Sequence, residues 1–271
     1  MMKRRKQYLP RFYLDGFADP GQGHLVWVYE RGKDSVLKLV SDNRGVGKRY
    51  SILDATDDQE DSTSFDNSLA SIEEISDPVV DKIRRGVDIG CKERMIVAIF
   101  IASCLTRLPE FRNVDVYSGV ELIKRLINAD VRKHQVGEEE LRFMLRGERT
   151  IKIGAEYSLP IMTSLTKIVA DILYGMKWSF WRSPKGHCFV TSDNPFVYDV
   201  PRRLAKAYYR GGLLDAEIRV TFPISRNLML GCAWNGKEGY QDADVKFVES
   251  VNCRVIGSAL RYVYAPGEMI G

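Results

Sequence analysis

Hydrophobic and polar positions change their rhythm along this chain, and the changes divide it into four stretches. Near the start, "HLVWVYE" (His24 to Glu30) and "SVLKLV" (Ser35 to Val40) are β-rich runs around a short glycine-containing turn, which predicts a hairpin over residues 24–40. Residues 54–68, "DATDDQEDSTSFDNS", then hold six acidic side chains and no basic one. With so little apolar surface to bury, this stretch reads as a solvated loop, with a helix starting near Asp66.

Helical spacing dominates residues 66–174. "NSLASIEEISDPVVDKI" opens the series, and Pro78 is expected to kink or break it. "KERMIVAIFIASCLTRL" is apolar on nearly every side, so it predicts a central helix buried by its neighbours, with Ile99 in the core. Pro109 should stop it. "VDVYSGVELIKRLINADVRKHQ" and "EEELRFMLRG" follow as amphipathic helices, and "SLPIMTSLTKIVADILYG" carries its proline early, where a helix tolerates one.

From residue 176 to 264 the rhythm becomes that of strands. "KWSFWRS", "HCFVT", "EIRVTFP" and "NLMLGCA" alternate or run apolar over short spans, and a helix near "ADVKFVESVNCRVIGSA" precedes a closing strand, "RYVYA". Strands, then helices, then strands predict an α+β fold. Its helices would pack on a mostly antiparallel sheet built from both ends of the chain, within a single domain over residues 1–271.

Composition changes this picture little. Hydrophobic residues at 45% and charged residues at 28% are ordinary for a globular chain of 271 residues. A net charge of +4, with "KRRK" at Lys3 to Lys6, permits a nucleotide or nucleic-acid partner. The five cysteines are odd in number and scattered without a CxxC pair, so neither a zinc knuckle nor a disulfide framework is indicated. No signal peptide is recognisable, and the longest apolar run, Met95 to Leu105, falls short of the ~20 residues a bilayer span needs. A cytoplasmic location, away from the membrane, is the expectation.

Familiar chemistry is largely excluded. "NRGVGKRY" mimics a phosphate loop, but Asp42 stands where its first glycine should be and Arg49 where its Ser or Thr should be. No dinucleotide fingerprint occurs. His24, His134 and His187 share no metal spacing, and the acidic stretch lacks the central glycine and closing glutamate of a calcium loop. Arg107 ends the apolar helix, where it can either answer the helix dipole or hold an anion. In "FVTSDNPF" (Phe189 to Phe196), Thr191, Ser192, Asp193 and Asn194 can form a polar turn closed by Pro195. Four such residues exceed what a turn requires, so they are also candidate site residues at a strand end.

Several segments, in order, resemble a family of largely bacterial proteins known only as domain-of-unknown-function family 4238. They are "KQYLPRFYLDGFAD", "HLVWVYER", "LASIEE", "FIASCLTRLPEFR", "FVTSDNPF" and "TFPISRNLML". The resemblance implies correspondences at Tyr8, Pro10, Glu73, Arg107, Thr191 to Pro195 and Asn252, with Gln7 where family members typically carry histidine. It supplies no reaction. Two expectations follow. In one, an enzyme acts on a phosphate-bearing substrate. Asp193 and Glu73 are then its acid–base groups or ligands of a divalent cation. Arg107 faces Glu73 or a bound anion, and Thr191, Ser192, Asn194, Gln7 and Asn252 contact substrate. In the other, the chain is a non-catalytic module for nucleic acid or protein, and these polar residues are structural.

Overall fold

The structure, a computed structural model, describes residues 9–19, 21, 25–33, 36–40, 62–106, 108, 155–199 and 212–267. Gln7, Arg107 and the expected helices between residues 114 and 147 lie outside the described residues. The acidic stretch does so up to residue 61.

Five helices and nine strands follow one another among the described residues. They run α1 (Arg11–Asp15), β1 (Leu25–Glu30), β2 (Val36–Val40), α2 (Ser62–Arg84), α3 (Cys91–Thr106) and α4 (Ala155–Gly175). After these come β3 (Lys177–Arg182), β4 (Thr191–Ser192), β5 (Val197–Asp199), β6 (Arg219–Ser225), β7 (Leu228–Ala233), β8 (Gly239–Asp242), α5 (Val245–Ser258) and β9 (Tyr262–Ala265). The α+β class holds, and β1 pairs with β9, so both ends of the chain share a sheet. There are two sheets, however, where one was expected. The first has order β2-β1-β9-β4 and the second β5-β6-β7-β3-β8. All pairs are antiparallel except β3 with β8.

α3 is the central helix its composition predicts. It packs between α2 and α4, and every residue from Val97 to Thr106 except Ile99 is buried. Ile99 is half-buried and packs against the core, while Val97, Ala98, Phe100, Ile101 and Ala102 are fully buried. Gly90 donates its N–H to the Glu93 carboxylate at 2.7 Å, half of a capping box that starts α3. Lys82 of α2 reaches the same carboxylate at 2.9 Å. Those two donors hold the Glu93 carboxyl below its ordinary range, Lys82 contributing most.

Three boundaries differ from the sequence reading. α2 begins at Ser62, inside the acidic stretch, and continues through Pro78. Position 78 has no N–H to give the preceding turn. Burial of Val79, Val80 and Ile83 immediately after it holds the helix in place. α4 starts at Ala155, which puts Pro160 beyond its first turn. Finally, only Thr191 of "HCFVT" lies in a ladder, which the next residue, Ser192, extends by one pair. The short strands β5 and β8 had no distinct signal.

The core has two parts. The larger joins α1 to α4 with the second sheet, and Phe100 lies at its centre, with ring centroids 5.2 Å from Phe12, 5.9 Å from Tyr13 and 6.0 Å from Phe222. The smaller sits under α5 and includes Phe189, Val190, Val251, Val255, Val263 and Ala265. Asp244 caps the start of α5, its Oδ1 accepting the Phe247 N–H at 2.7 Å. Among the described residues no helix is long and apolar enough to cross a membrane.

Candidate functional site

The polar segment from Thr191 to Asn194 begins as β4 and continues past its end. Asp193 is buried, 7% exposed. Its Oδ1 accepts the N–H of Leu260 at 2.9 Å, and its Oδ2 accepts those of Arg261 at 2.8 Å and Tyr262 at 3.0 Å. Its own N–H donates to the Tyr262 carbonyl at 3.0 Å. The carboxylate therefore fastens the turn between α5 and β9. Burial pushes the Asp193 carboxyl up from its ordinary value, and the three backbone donors only partly offset that.

The neighbours of Asp193 are engaged in the same way. The Ser192 hydroxyl donates to the Asn194 carbonyl at 2.9 Å and accepts the Asn194 N–H at 3.2 Å, a tight local turn. Asn194 Nδ2 donates to the Ser258 carbonyl at 3.1 Å, and the Ser258 hydroxyl lies 3.2 Å from the Asn194 carbonyl. Asn194 Oδ1 is buried without a hydrogen-bond partner. The Thr191 hydroxyl meets the Tyr13 phenol at 2.7 Å, and that phenol also reaches the Pro223 carbonyl at 2.8 Å. Tyr13 is fully buried, which raises its pKa well above the ordinary tyrosine value.

Asn252, on α5, holds the segment just before this group. Its Oδ1 accepts the Val190 N–H at 3.0 Å and its Nδ2 donates to the Cys188 carbonyl at 2.9 Å. One carboxamide thus stands in for the strand that "HCFV" lacks, which is why that segment looks like a strand in sequence yet carries no ladder.

The structure places Asp193 and Asn194, with Ser192 bonded to Asn194, at the α5–β9 junction, while the Thr191 hydroxyl turns to Tyr13 and Asn252, in the middle of α5, holds residues 188 and 190. Glu73 lies on α2, which packs against α3 and β6, while β4 packs against β9 and α5. The Asp193 carboxylate takes its hydrogen bonds from backbone donors alone. Arg107 and Gln7 fall outside the described residues, so the expected pairing of Arg107 with Glu73 does too.

Two residues that organise this region were not singled out from sequence. Tyr13 sits inside "KQYLPRFYLDGFAD", where a tyrosine in an apolar turn could have signalled a buried phenol needing partners. Arg84 had no such signal. Its guanidinium donates to the carbonyls of Phe12, Tyr13 and Ile224 at 3.1 Å each, and it lies where a side chain on Gly16 would have to be. It caps α1 from another helix, and burial lowers its pKa.

Among the described residues no three of His, Cys, Asp and Glu gather as a metal site. All five cysteines are free. No curated protein and no solved structure matches the chain. Residues 7–267 match the family described as "Protein of unknown function (DUF4238)".

Proposed function

The chain belongs to the DUF4238 family, and from that premise we propose that it is a non-catalytic binding module for a protein or nucleic-acid partner, working in the cytoplasm. The polar residues at its most distinctive segment serve the fold. One observation carries the reading: the Asp193 carboxylate already accepts three backbone N–H donors. A general acid or base must have a face open to the proton it moves, and a metal ligand must have a lone pair for the ion. Here three N–H donors occupy most of the acceptor sites of a buried carboxylate, so its oxygens serve the turn that starts β9. The free state of all five cysteines is in keeping with a reducing compartment.

The test compares Asp193→Asn with wild type in two measurements. The first is hydrolysis of a panel of nucleotides and phosphomonoesters, with and without magnesium; the second is thermal melting. A structural Asp193 gives a lower melting temperature and no hydrolysis in wild type to be lost. Metal-dependent hydrolysis that disappears in Asp193→Asn, at unchanged melting temperature, would overturn the reading in favour of an enzyme acting on a phosphate-bearing substrate.

A further inference from the structure

The turn that Asp193 fastens is exposed on its outer side, and it borders the tip of the N-terminal hairpin. Arg31 donates its backbone N–H to the Arg261 carbonyl at 2.8 Å, and its Nη1 reaches the Ala259 carbonyl at 3.1 Å. Glu30 accepts from Arg261 and from Lys33, each at 2.9 Å. Residues 30–33 and 259–261 therefore form one continuous surface.

Two kinds of group stand out on it. Ile256, in the last turn of α5, is 40% exposed, and Leu260, two residues beyond the helix, is 39% exposed. They are two of the four large hydrophobic side chains exposed among the described residues. Arg261 follows Leu260 directly and Arg31 reaches the carbonyl of Ala259 just before it, while Lys33 and Arg261 share the carboxylate of Glu30, so among the described residues of this turn and hairpin tip cations outnumber carboxylates. The backbone beneath is already fixed by Asp193, so a ligand need not order it.

We infer that this surface docks an acidic peptide segment carrying apolar side chains, presented by a protein partner. The inference rests on the binding-module reading and narrows it. Charge selects an anionic ligand, and the aliphatic pair gives that ligand something to bury. Nucleic acid fits less well, because single strands bind through stacking on aromatic faces. The ring in this turn, Tyr262, is buried, with the Arg261 guanidinium over it at 5.2 Å.

The experiment titrates the full chain into a fluorescein-labelled peptide of alternating glutamate and leucine, read by anisotropy. A glutamate–serine peptide and a single-stranded DNA oligonucleotide serve as competitors. The expected result is saturable binding that weakens about tenfold or more in Ile256→Ser/Leu260→Ser and in Lys33→Glu. It should also weaken between about 0.1 M and about 1 M salt. Both sets of substitutions lie on exposed side chains, and unchanged melting checks that the fold survives. No binding, binding indifferent to the aliphatic pair, or displacement by DNA as readily as by unlabelled peptide would each overturn the proposal. Absent peptide binding with absent hydrolysis removes only this surface, whereas hydrolysis by wild type removes the module reading itself.

Discussion

The two sheets of this protein meet the same backbone requirement by different means. In the five-stranded sheet, β7 is paired along its whole length on both sides, with β6 and with β3. Side chains there are free to pack. In the four-stranded sheet, β4 contributes only the pairs Thr191 with Tyr264 and Ser192 with Val263. Beyond that point the buried N–H and C=O groups are met by Asp193, Asn194 and Asn252. Where a ladder stops early, side chains must continue it, because a buried unpaired peptide group is costly. The run of four polar residues is what that substitution looks like in sequence.

The largest effect should come from the helical core that the five-stranded sheet packs against. Phe100→Ala empties the meeting point of Phe12, Tyr13 and Phe222 and should cost about 3–5 kcal/mol in chemical denaturation. A loss below half of that would mean the centre of the core lies elsewhere.

Asp193→Asn should cost about 2–3 kcal/mol, since it puts an amide donor against backbone donors. Its signature is local. Hydrogen exchange should accelerate at Leu260, Arg261 and Tyr262 while β6 and β7 stay protected. Uniform acceleration in both sheets would erase the distinction drawn above.

Asn252→Ala leaves the Val190 N–H and the Cys188 carbonyl without their partner and should cost about 1–2 kcal/mol. Thr191→Val keeps the shape and removes the hydroxyl from Tyr13, which retains the Pro223 carbonyl, so about 1 kcal/mol is expected. Equal losses from these two variants would show that backbone and side-chain polar groups weigh alike here.

The smallest effect concerns pH. Asp19 accepts from Arg226 at 2.9 Å and from the Gly21 N–H at 3.1 Å, and these bonds, Arg226 first, lower its pKa. Its contribution is therefore present above the unfolded carboxylate value of about 3.9 and is lost as pH falls through the lower folded value. Asp19→Asn should flatten that part of the acid limb of a stability–pH curve. An identical limb in the variant would show that the pair adds nothing.

How far the sequence revealed this arrangement depended on how local each signal was. α3 was legible because an all-apolar helix has only one place to go, and the hairpin and the closing strand were legible from β-rich runs bounded by turns. The division into two sheets was hidden, since which strand neighbours which is a long-range property. α2 ran past Pro78 because burial of the residues after it outweighs one lost bond, a tertiary override that local propensity does not contain. The polar cluster stood out in the sequence as four small polar residues in a row. Its partners, the backbone of residues 260–262 and Asn252, are distant in sequence, so the task it performs could not be read there.

The position of β9 inside its sheet has a consequence for how the protein is made. β9 lies between β1 and β4, and it is the last described element to leave the ribosome. Until it emerges, β1 keeps an open edge and the Asp193 carboxylate has none of the N–H donors it later accepts. The five-stranded sheet can assemble earlier, since its strands all precede α5. A nascent chain would then carry a finished core beside an unfinished, adhesive edge, the circumstance in which folding intermediates aggregate or engage chaperones. Completion of the first sheet becomes a late event gated by translation itself, and shortening the chain by the β9 segment would leave that edge permanently exposed.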